Sequence, residues 1–221
     1  KLYLAAVVDA REKLRAAKPE DKMTVFAVLM RLREICCDPR LVADNWTGSS
    51  AKLEACLELV TEAVAGGHRI LLFSQFTSML ELLAKRLDEA GVSHFTLQGS
   101  TPKPVRAEQV RRFNQGEADV FLISLRAGGT GLNLTAADIV IHYDPWWNLA
   151  AQNQATDRAY RIGQRNPVQV YRLIAQDTIE EKIVELQQAK QSLADTVTGG
   201  ADGAILSMNP EQLLQLLGEE A

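Results

Sequence analysis

The chain changes from one pattern of apolar positions to another near residue 70. Before that point, apolar side chains recur at three- and four-residue spacing, as at Met23, Phe26 and Met30, which predicts helices. Beyond it, short runs that are apolar at every position alternate with amphipathic stretches. Ile70–Phe73 is the clearest such run and predicts a strand that is covered on both faces.

The repeated alternation of apolar runs and helical stretches predicts an α/β fold. Its expected architecture is a parallel sheet sandwiched by helices, with right-handed crossovers. Loops that carry function should then follow the carboxyl ends of the strands. The predicted strands are 70–73, 93–97, 120–124, 139–142 and 168–174, and helices are predicted at 104–114 and 149–162.

Three regions follow from these patterns. Residues 1–47 are expected to form a helical appendage, residues 48–176 the sheet domain, and residues 177–221 a brace helix with an acidic tail. An apolar stripe in the last region favours packing on the sheet domain or on a partner outside the chain. That stripe consists of Ile179, Ile183, Leu186 and Leu193.

Composition narrows the class of protein. With 47% hydrophobic and 24% charged residues, the chain is typical of a globular domain, and no apolar run approaches the ~18 residues of a membrane span. The net charge of −4 is unevenly distributed, since residues 100–172 hold nine Lys or Arg against six Asp or Glu. Three cysteines without C-x-x-C spacing favour buried thiols and argue against a metal site.

One short segment carries candidate phosphate chemistry. Residues 157–164 read DRAYRIGQ and contain Arg158 and Arg161 three positions apart. On a helix both guanidinium groups can face the same way, and each offers a planar fork of donors to phosphate oxygens. A solvated helix with Asp157 paired to Arg161 is the simpler alternative for such a segment taken alone.

A glycine-rich segment follows the predicted strand at 120–124. Residues 124–135 read SLRAGGTGLNLT, and their glycines would let backbone amides approach a phosphate closely. A tight turn that requires positive φ explains the same glycines equally well.

Taken in order, these segments resemble a known family. Residues 121–164, together with RLREICC at 31–37, ILLFSQF at 70–76 and LQGST at 97–101, are similar to the C-terminal motor lobe of the SWI/SNF-type DNA translocases, a branch of the superfamily-two helicases. The resemblance extends from about residue 29 to 183 and implies a RecA-like fold.

The resemblance also implies roles for individual residues. Arg158 and Arg161 match the arginine fingers that neutralise charge on the γ-phosphate during phosphoryl transfer. The remaining implied nucleotide contacts are Gln154, Arg126, Gly129 and Gly131. The implied contacts to DNA are Asn133 and Trp147, with Trp146 expected to pack in the core; core packing of both indoles is the alternative. Polar groups at strand ends also suit the DNA backbone, and ordinary turn and cap roles explain these residues equally well: Gln75, Ser100, Thr101 and Arg106. Tyr160 stands where the family usually has histidine, and Leu149 where proline is common.

Two features of such a motor are not found in these residues. There is no G-x-x-x-x-G-K-[ST] loop to cradle phosphates, and no acidic pair of the D-E-x-H kind to hold Mg²⁺. The resemblance implies that ATP and Mg²⁺ are bound mainly by a first RecA-like lobe of the same polypeptide. On its own, this chain is expected to hydrolyse no ATP.

The expected function is therefore the second lobe of an ATP-dependent translocase on double-stranded DNA. Its expected partners are the DNA backbone, the first lobe and DNA-bound proteins, with no membrane. The expected location is the cytoplasm of a bacterium, in association with the nucleoid, or the nucleus if the source is eukaryotic. A stand-alone interaction module on the same fold, without ATPase activity, is the alternative. A dinucleotide-binding domain is disfavoured because no G-x-G-x-x-G follows the first strand.

Overall fold

The computed structural model describes most of the chain. Its described residues are 1–43, 45–125, 127, 132–157, 159, 167–194 and 208–218. Two units are distinguished within it, a sheet unit of residues 49–146 and 150–173, and a helical unit of residues 1–48, 147–149 and 174–221.

Helices and strands alternate through the sheet unit. Its helices are α3 (Ala51–Ala65), α4 (Thr77–Glu89), α5 (Lys103–Asn114) and α6 (Leu149–Thr156), and its strands are β1 (Ile70–Ser74), β2 (His94–Leu97), β3 (Val120–Ser124), β4 (Ile139–His142) and β5 (Gln169–Arg172). The helical unit contains α1 (Leu2–Ala16), α2 (Lys22–Cys37), a 3₁₀ turn at Pro39–Leu41, α7 (Ile179–Ala194) and α8 (Pro210–Leu216).

All described strand pairs are parallel, and the strand order is β2-β3-β1-β4-β5. The predicted α/β class, a RecA-like parallel sheet flanked by helices, is confirmed. β1 lies in the centre because every one of its residues is apolar or small and is buried on both faces. β5 lies at the edge and keeps polar side chains exposed.

The sheet unit has its own apolar core. Phe113 from α5 packs against Phe121 of β3 with ring centroids 5.3 Å apart, and Phe73 of β1 is fully buried beside them. These aromatic contacts hold α5 against the sheet, so the loops at both ends of α5 have fixed starting points.

The helical unit joins the two ends of the chain. Leu14 of α1, Leu29 of α2, Ile183 of α7 and Leu213 of α8 are all buried in one cluster. The stripe on α7 therefore packs on α1 and α2 through Ile179, Ile183 and Leu186, an arrangement that the sequence did not predict. The side chain of Leu193 lies outside the described part of the structure.

One predicted helix is shorter than expected. The pattern predicted a helix over 149–162, but α6 ends at Thr156. There the amide of Ala159 donates to the carbonyl of Thr156, an i to i−3 bond that tightens the chain into a turn. Within the described residues, no helix is both long and apolar enough to cross a membrane.

Candidate functional site

The candidate site lies at the carboxyl edge of the sheet. Ser74 of β1 is level with Ser124 of β3, and Phe73 is level with His142 of β4, so these strands end side by side. The chain crosses from β1 toward β2 on one side and reaches β4 on the other side. In parallel α/β sheets, ligands bind at the crevice where the connections diverge in this way.

A buried carboxylate closes the crevice between β1 and β4. Asp144, only 1% exposed, accepts a hydrogen bond from the hydroxyl of Ser74 at 2.5 Å and from the amide of Gln75 at 3.3 Å. These bonds fix the direction in which the chain leaves β1. The Nε2 of Gln75 is buried there and has no hydrogen-bond partner in the described structure.

The loop after β2 places two hydroxyls beyond the same edge. The amide of Gln98 donates to Oγ1 of Thr101 at 3.0 Å, and the amide of Thr101 donates back to the carbonyl of Gln98 at 3.1 Å. This closed turn leaves Ser100 exposed and Gly99 in open space. Thr101 and Ser100, two of the predicted DNA contacts, therefore share one ordered turn.

Arg106 connects α5 to the segment after β3. It is half-buried, and its Nη1 donates to the carbonyl of Ala127 at 3.2 Å. Arg106 thus binds the backbone at Ala127, which is a use of its side chain that the sequence did not predict. Three predicted phosphate contacts in that segment, Arg126, Gly129 and Gly131, lie outside the described residues.

Asn114, at the end of α5, binds the backbone of residues 133–136, which follow the glycine-rich segment. Its Nδ2 donates to the carbonyl of Asn133 at 2.8 Å, and its Oδ1 accepts from the amide of Ala136 at 3.3 Å. The neighbouring Leu132 and Leu134 are buried, so the Asn133 side chain is presented outward and exposed. No sequence motif marked Asn114, because it acts on backbone groups alone.

A chain of hydrogen bonds holds α6. His142 on β4 contacts Oγ1 of Thr156 through Nε2 at 2.8 Å, and that hydroxyl lies 3.2 Å from the carbonyl of Gln152. The Oε1 of Gln152 accepts from the amide of Trp146 at 3.1 Å. Gln154, one of the predicted nucleotide contacts, is exposed on the same helix, whereas Arg158 and Arg161 lie outside the described residues.

The imidazole of His142 is neutral in this environment. Burial, reinforced by the nearby cation of Arg172, lowers the pKa of His142 from 6.5 to about 3. Its ring stacks on Phe73 with centroids 5.5 Å apart. Nε2 of the neutral ring shares one hydrogen bond with Oγ1 of Thr156, and the tautomer decides which atom donates.

Trp147 lies in the helical unit. It is half-buried against the helical core, with the guanidinium carbon of Arg33 4.4 Å from its ring centroid and the ring of Phe26 at 6.2 Å. A large part of the indole therefore has a packing role. Its contact with DNA stays a prediction, as does the core role expected for Trp146, which is half-buried.

The amino edge of the sheet is closed by local pairs. Asp138 accepts from the amide of Arg69 and contacts Nδ1 of His68 at 2.9 Å, and Asp119 accepts from the hydroxyl of Ser93 at 2.5 Å. Among the described residues, no three His, Cys, Asp or Glu side chains gather as metal ligands would.

Comparison with known proteins identifies this arrangement. The model of the helicase conserved C-terminal domain matches residues 51–163, about half of the chain. This chain belongs to that family of helicase C-terminal domains, and the predicted resemblance to its SWI/SNF-related branch is confirmed.

Two curated relatives illustrate the similarity. An "Uncharacterized ATP-dependent helicase" of Mycoplasma pneumoniae is 37% identical over 98% of the chain, and "Putative ATP-dependent helicase/translocase YwqA" of Bacillus subtilis is 41% identical over 88% of it. The matched regions make up 21% and 22% of those proteins. The chain therefore spans about a fifth of the length of these relatives.

Solved structures agree over the whole chain. The "Sulfolobus solfataricus SWI2/SNF2 ATPase core in complex with dsDNA" matches with a TM-score of 0.80 and 28% identity, covering 100% of this chain and 47% of that one. The "Sulfolobus solfataricus SWI2/SNF2 ATPase C-terminal domain" matches with a TM-score of 0.79 and 27% identity, covering 100% of this chain and 92% of that one. The fold is that of a SWI2/SNF2 C-terminal lobe.

Proposed function

We propose that this chain is the second motor lobe of an ATP-dependent translocase on double-stranded DNA. A preceding lobe of the same polypeptide would bind ATP and Mg²⁺. This chain would supply Arg158 and Arg161 to the nucleotide, and other side chains to the DNA backbone. ATP binding between the lobes would close the cleft, hydrolysis would reopen it, and the cycle would move the protein along one strand.

The observation that carries this proposal is that Gln75, Ser100 and Thr101 follow the carboxyl ends of two strands of one parallel sheet. Gln75 follows β1, the turn with Ser100 and Thr101 follows β2, and Asn133 comes after β3. Gln154, on α6, comes after β4. Gln75, Ser100 and Thr101 lie directly beyond carboxyl ends of the same parallel sheet, where a phosphate chain and a duplex backbone could both be reached. Asn133 lies beside the end of α5, from which the chain enters β3.

The described residues fit part of a nucleotide site. They offer hydroxyl, amide and backbone donors, which suit phosphate oxygens, whereas the edge carboxylate Asp144 already accepts from Ser74 and Gln75. Hydrogen-bond donors suit the half of a nucleotide site that faces the phosphates. The magnesium ligands of such a site would lie on the preceding lobe. Nucleotide bound there would receive charge compensation from Arg158 and Arg161.

The DNA contacts in this proposal are to the backbone. Hydroxyls and amides such as those of Ser100, Thr101 and Asn133 position a duplex without reading its sequence. Gln75 adds an amide nitrogen that a phosphate oxygen would satisfy. A translocase needs contacts of this kind because it must bind every sequence along its path.

The test is the ATPase activity of the full-length polypeptide with and without duplex DNA. Arg161→Ala should lower kcat by about 10³-fold or more, because the developing charge on the γ-phosphate loses its counter-cation. Arg111→Ala is the matched control, since Arg111 is exposed on α5 and pairs with Glu108. Equal activity in the two variants would refute the role of Arg161.

A second arm uses the 221-residue chain by itself. We expect no magnesium-dependent ATP turnover from it. Turnover that Arg161→Ala abolishes would contradict the division of labour between two lobes. Duplex binding by the full-length polypeptide with no ATPase activity would instead identify an interaction module on a RecA-like fold.

A further inference from the structure

The orientation of α6 depends on hydrogen bonds more than on apolar packing. Among the side chains of α6 that the structure describes, only Gln152 and Ala155 are buried. A buried alanine methyl contributes about 0.8 kcal/mol, and it tolerates rotation of the helix because it is small. The bonds at the two ends of α6 therefore decide which way the exposed Gln154 points.

Those bonds connect three separate parts of the sheet unit. At the start of α6, Oε1 of Gln152 accepts from the amide of Trp146, in the segment that follows β4. At its end, Oγ1 of Thr156 shares a hydrogen bond of 2.8 Å with Nε2 of His142 on β4 and lies 3.2 Å from the carbonyl of Gln152. Gln152 thus joins the Trp146 backbone directly to the network that ties α6 to the sheet.

Two of the three side chains in this network are buried, and the third, Thr156, is half-buried. Gln152 and His142 are each 1% exposed, so a lost partner there is not replaced by bulk water. His142 is neutral, and its ring is stacked on Phe73, which fixes the position of Nε2. Thr156 consequently meets a ring nitrogen of fixed position and not a mobile side chain.

We propose that His142, Thr156 and Gln152 are positioning residues that couple the segment around Trp146 to the nucleotide-facing side of α6. The inference rests on the proposed function. A displacement of the Trp146 backbone by bound DNA would pull on Gln152, rotate α6 and move Gln154 relative to the nucleotide. DNA would then stimulate hydrolysis through this hydrogen-bond chain.

The test uses the full-length polypeptide and measures the ratio of kcat with saturating duplex DNA to kcat without DNA. Gln152→Met keeps the side-chain length but removes the acceptor for the Trp146 amide. We expect the ratio to fall about fivefold or more, as the loss of one hydrogen bond of ~1 kcal/mol implies. Gln152→Glu retains an acceptor oxygen and should restore most of the stimulation.

A second pair of variants tests the other end of α6. Thr156→Val is close in shape but removes the hydroxyl, whereas Thr156→Ser keeps it. We expect the valine variant to lower the stimulation ratio as Gln152→Met does, and the serine variant to behave as wild type. If Gln152→Met does not fold, the Thr156 pair decides the question.

Each outcome separates the inference from the function on which it rests. A purely structural role would lower the basal and DNA-stimulated rates together and leave their ratio unchanged, which would overturn the coupling. A wild-type protein whose ATPase does not respond to DNA would overturn the proposed function itself. A reduced ratio in Gln152→Met and Thr156→Val, recovered in their conservative partners, would support the coupling.

Discussion

The buried histidine on β4 predicts a specific response of the sheet unit to acid. His142 is 1% exposed, and burial lowers its pKa from 6.5 to about 3. The folded state therefore excludes a proton that the unfolded chain binds between these two values. The free energy of unfolding is therefore unaffected by His142 above pH 6.5, and it decreases as the pH falls from 6.5 toward 3 because the unfolded chain binds the proton.

The size of the effect follows from proton linkage. In this window, one proton taken up on unfolding lowers the free energy of unfolding by about 1.4 kcal/mol per pH unit. Between pH 6.5 and about pH 4.5 the loss attributable to His142 is about 2 kcal/mol. The free energy of unfolding of a whole domain is typically about 5–15 kcal/mol, so this loss is a substantial share of it.

The matched variant is His142→Gln. The side-chain amide of glutamine can share a hydrogen bond with Thr156 as the imidazole does, but it does not titrate. Hydrogen exchange at the β1 and β4 amides, corrected for its intrinsic pH dependence, reports the unfolding free energy of the sheet unit. We expect wild type to lose about 2 kcal/mol more than His142→Gln between the two pH values.

Two results would refute this reasoning. Parallel loss of stability in wild type and His142→Gln would show that the histidine contributes nothing to the acid response. An NMR titration of the His142 ring with a midpoint near its ordinary pKa of 6.5 would show that the folded state admits the proton.

Three further perturbations test other parts of the structure. Burial raises the pKa of Cys56 to about 12, so its thiol should resist alkylation at about pH 8 until the chain unfolds, and rapid labelling of the native protein by mass spectrometry would contradict its burial. Leu213→Ala should cost the helical unit about 2–5 kcal/mol in urea unfolding, against almost nothing for the exposed Gln215→Ala; equal effects would disprove the packing of α8. Ser74→Ala removes a donor from the buried Asp144 carboxylate and should cost about 1–3 kcal/mol, so an unchanged thermal midpoint would show that this bond is unimportant.

The central strands of the sheet were predictable because strands buried on both faces are apolar at consecutive positions. Ile70–Phe73 is apolar at every position, and the structure buries all of it. The β5 region was predicted as 168–174, but the strand is Gln169–Arg172, since an edge strand with exposed polar side chains has a weak boundary signal. The strand order cannot be obtained from local periodicity, because periodicity does not identify neighbours.

The candidate site residues were chosen in two ways, and their roles stay predictions. Gln75, Ser100 and Thr101 were chosen as polar groups at strand ends, and the structure has them directly after β1 and β2, whereas Asn133 was chosen from a family motif. Asn114 and Gln152 were missed because both bind backbone groups, which have no sequence signature. A glutamine in a helix is typical of a solvated face, and its burial depends on the neighbouring loop.

Partners across long distances in the chain were the hardest to predict. The stripe on α7 indicated an apolar face but not the surface that it meets. In the structure that surface comes from α1 and α2, near the other end of the sequence. Residues from the predicted regions 1–47 and 177–221 thus contribute to one core. The sequence patterns of the two regions, considered separately, did not indicate this shared core.

This two-ended core has a consequence for synthesis on the ribosome. The hydroxyl of Tyr3 accepts from the amide of Ile179, and these residues are 176 positions apart. During translation α1 and α2 are made before α7, so the part of their apolar surface that α7 covers stays exposed until α7 has left the exit tunnel, about ten seconds or more later at common elongation rates. The sheet unit, whose contacts span shorter distances, can fold in that interval. A ribosome stalled before α7 would therefore hold a helical unit with exposed apolar surface, which is prone to aggregate.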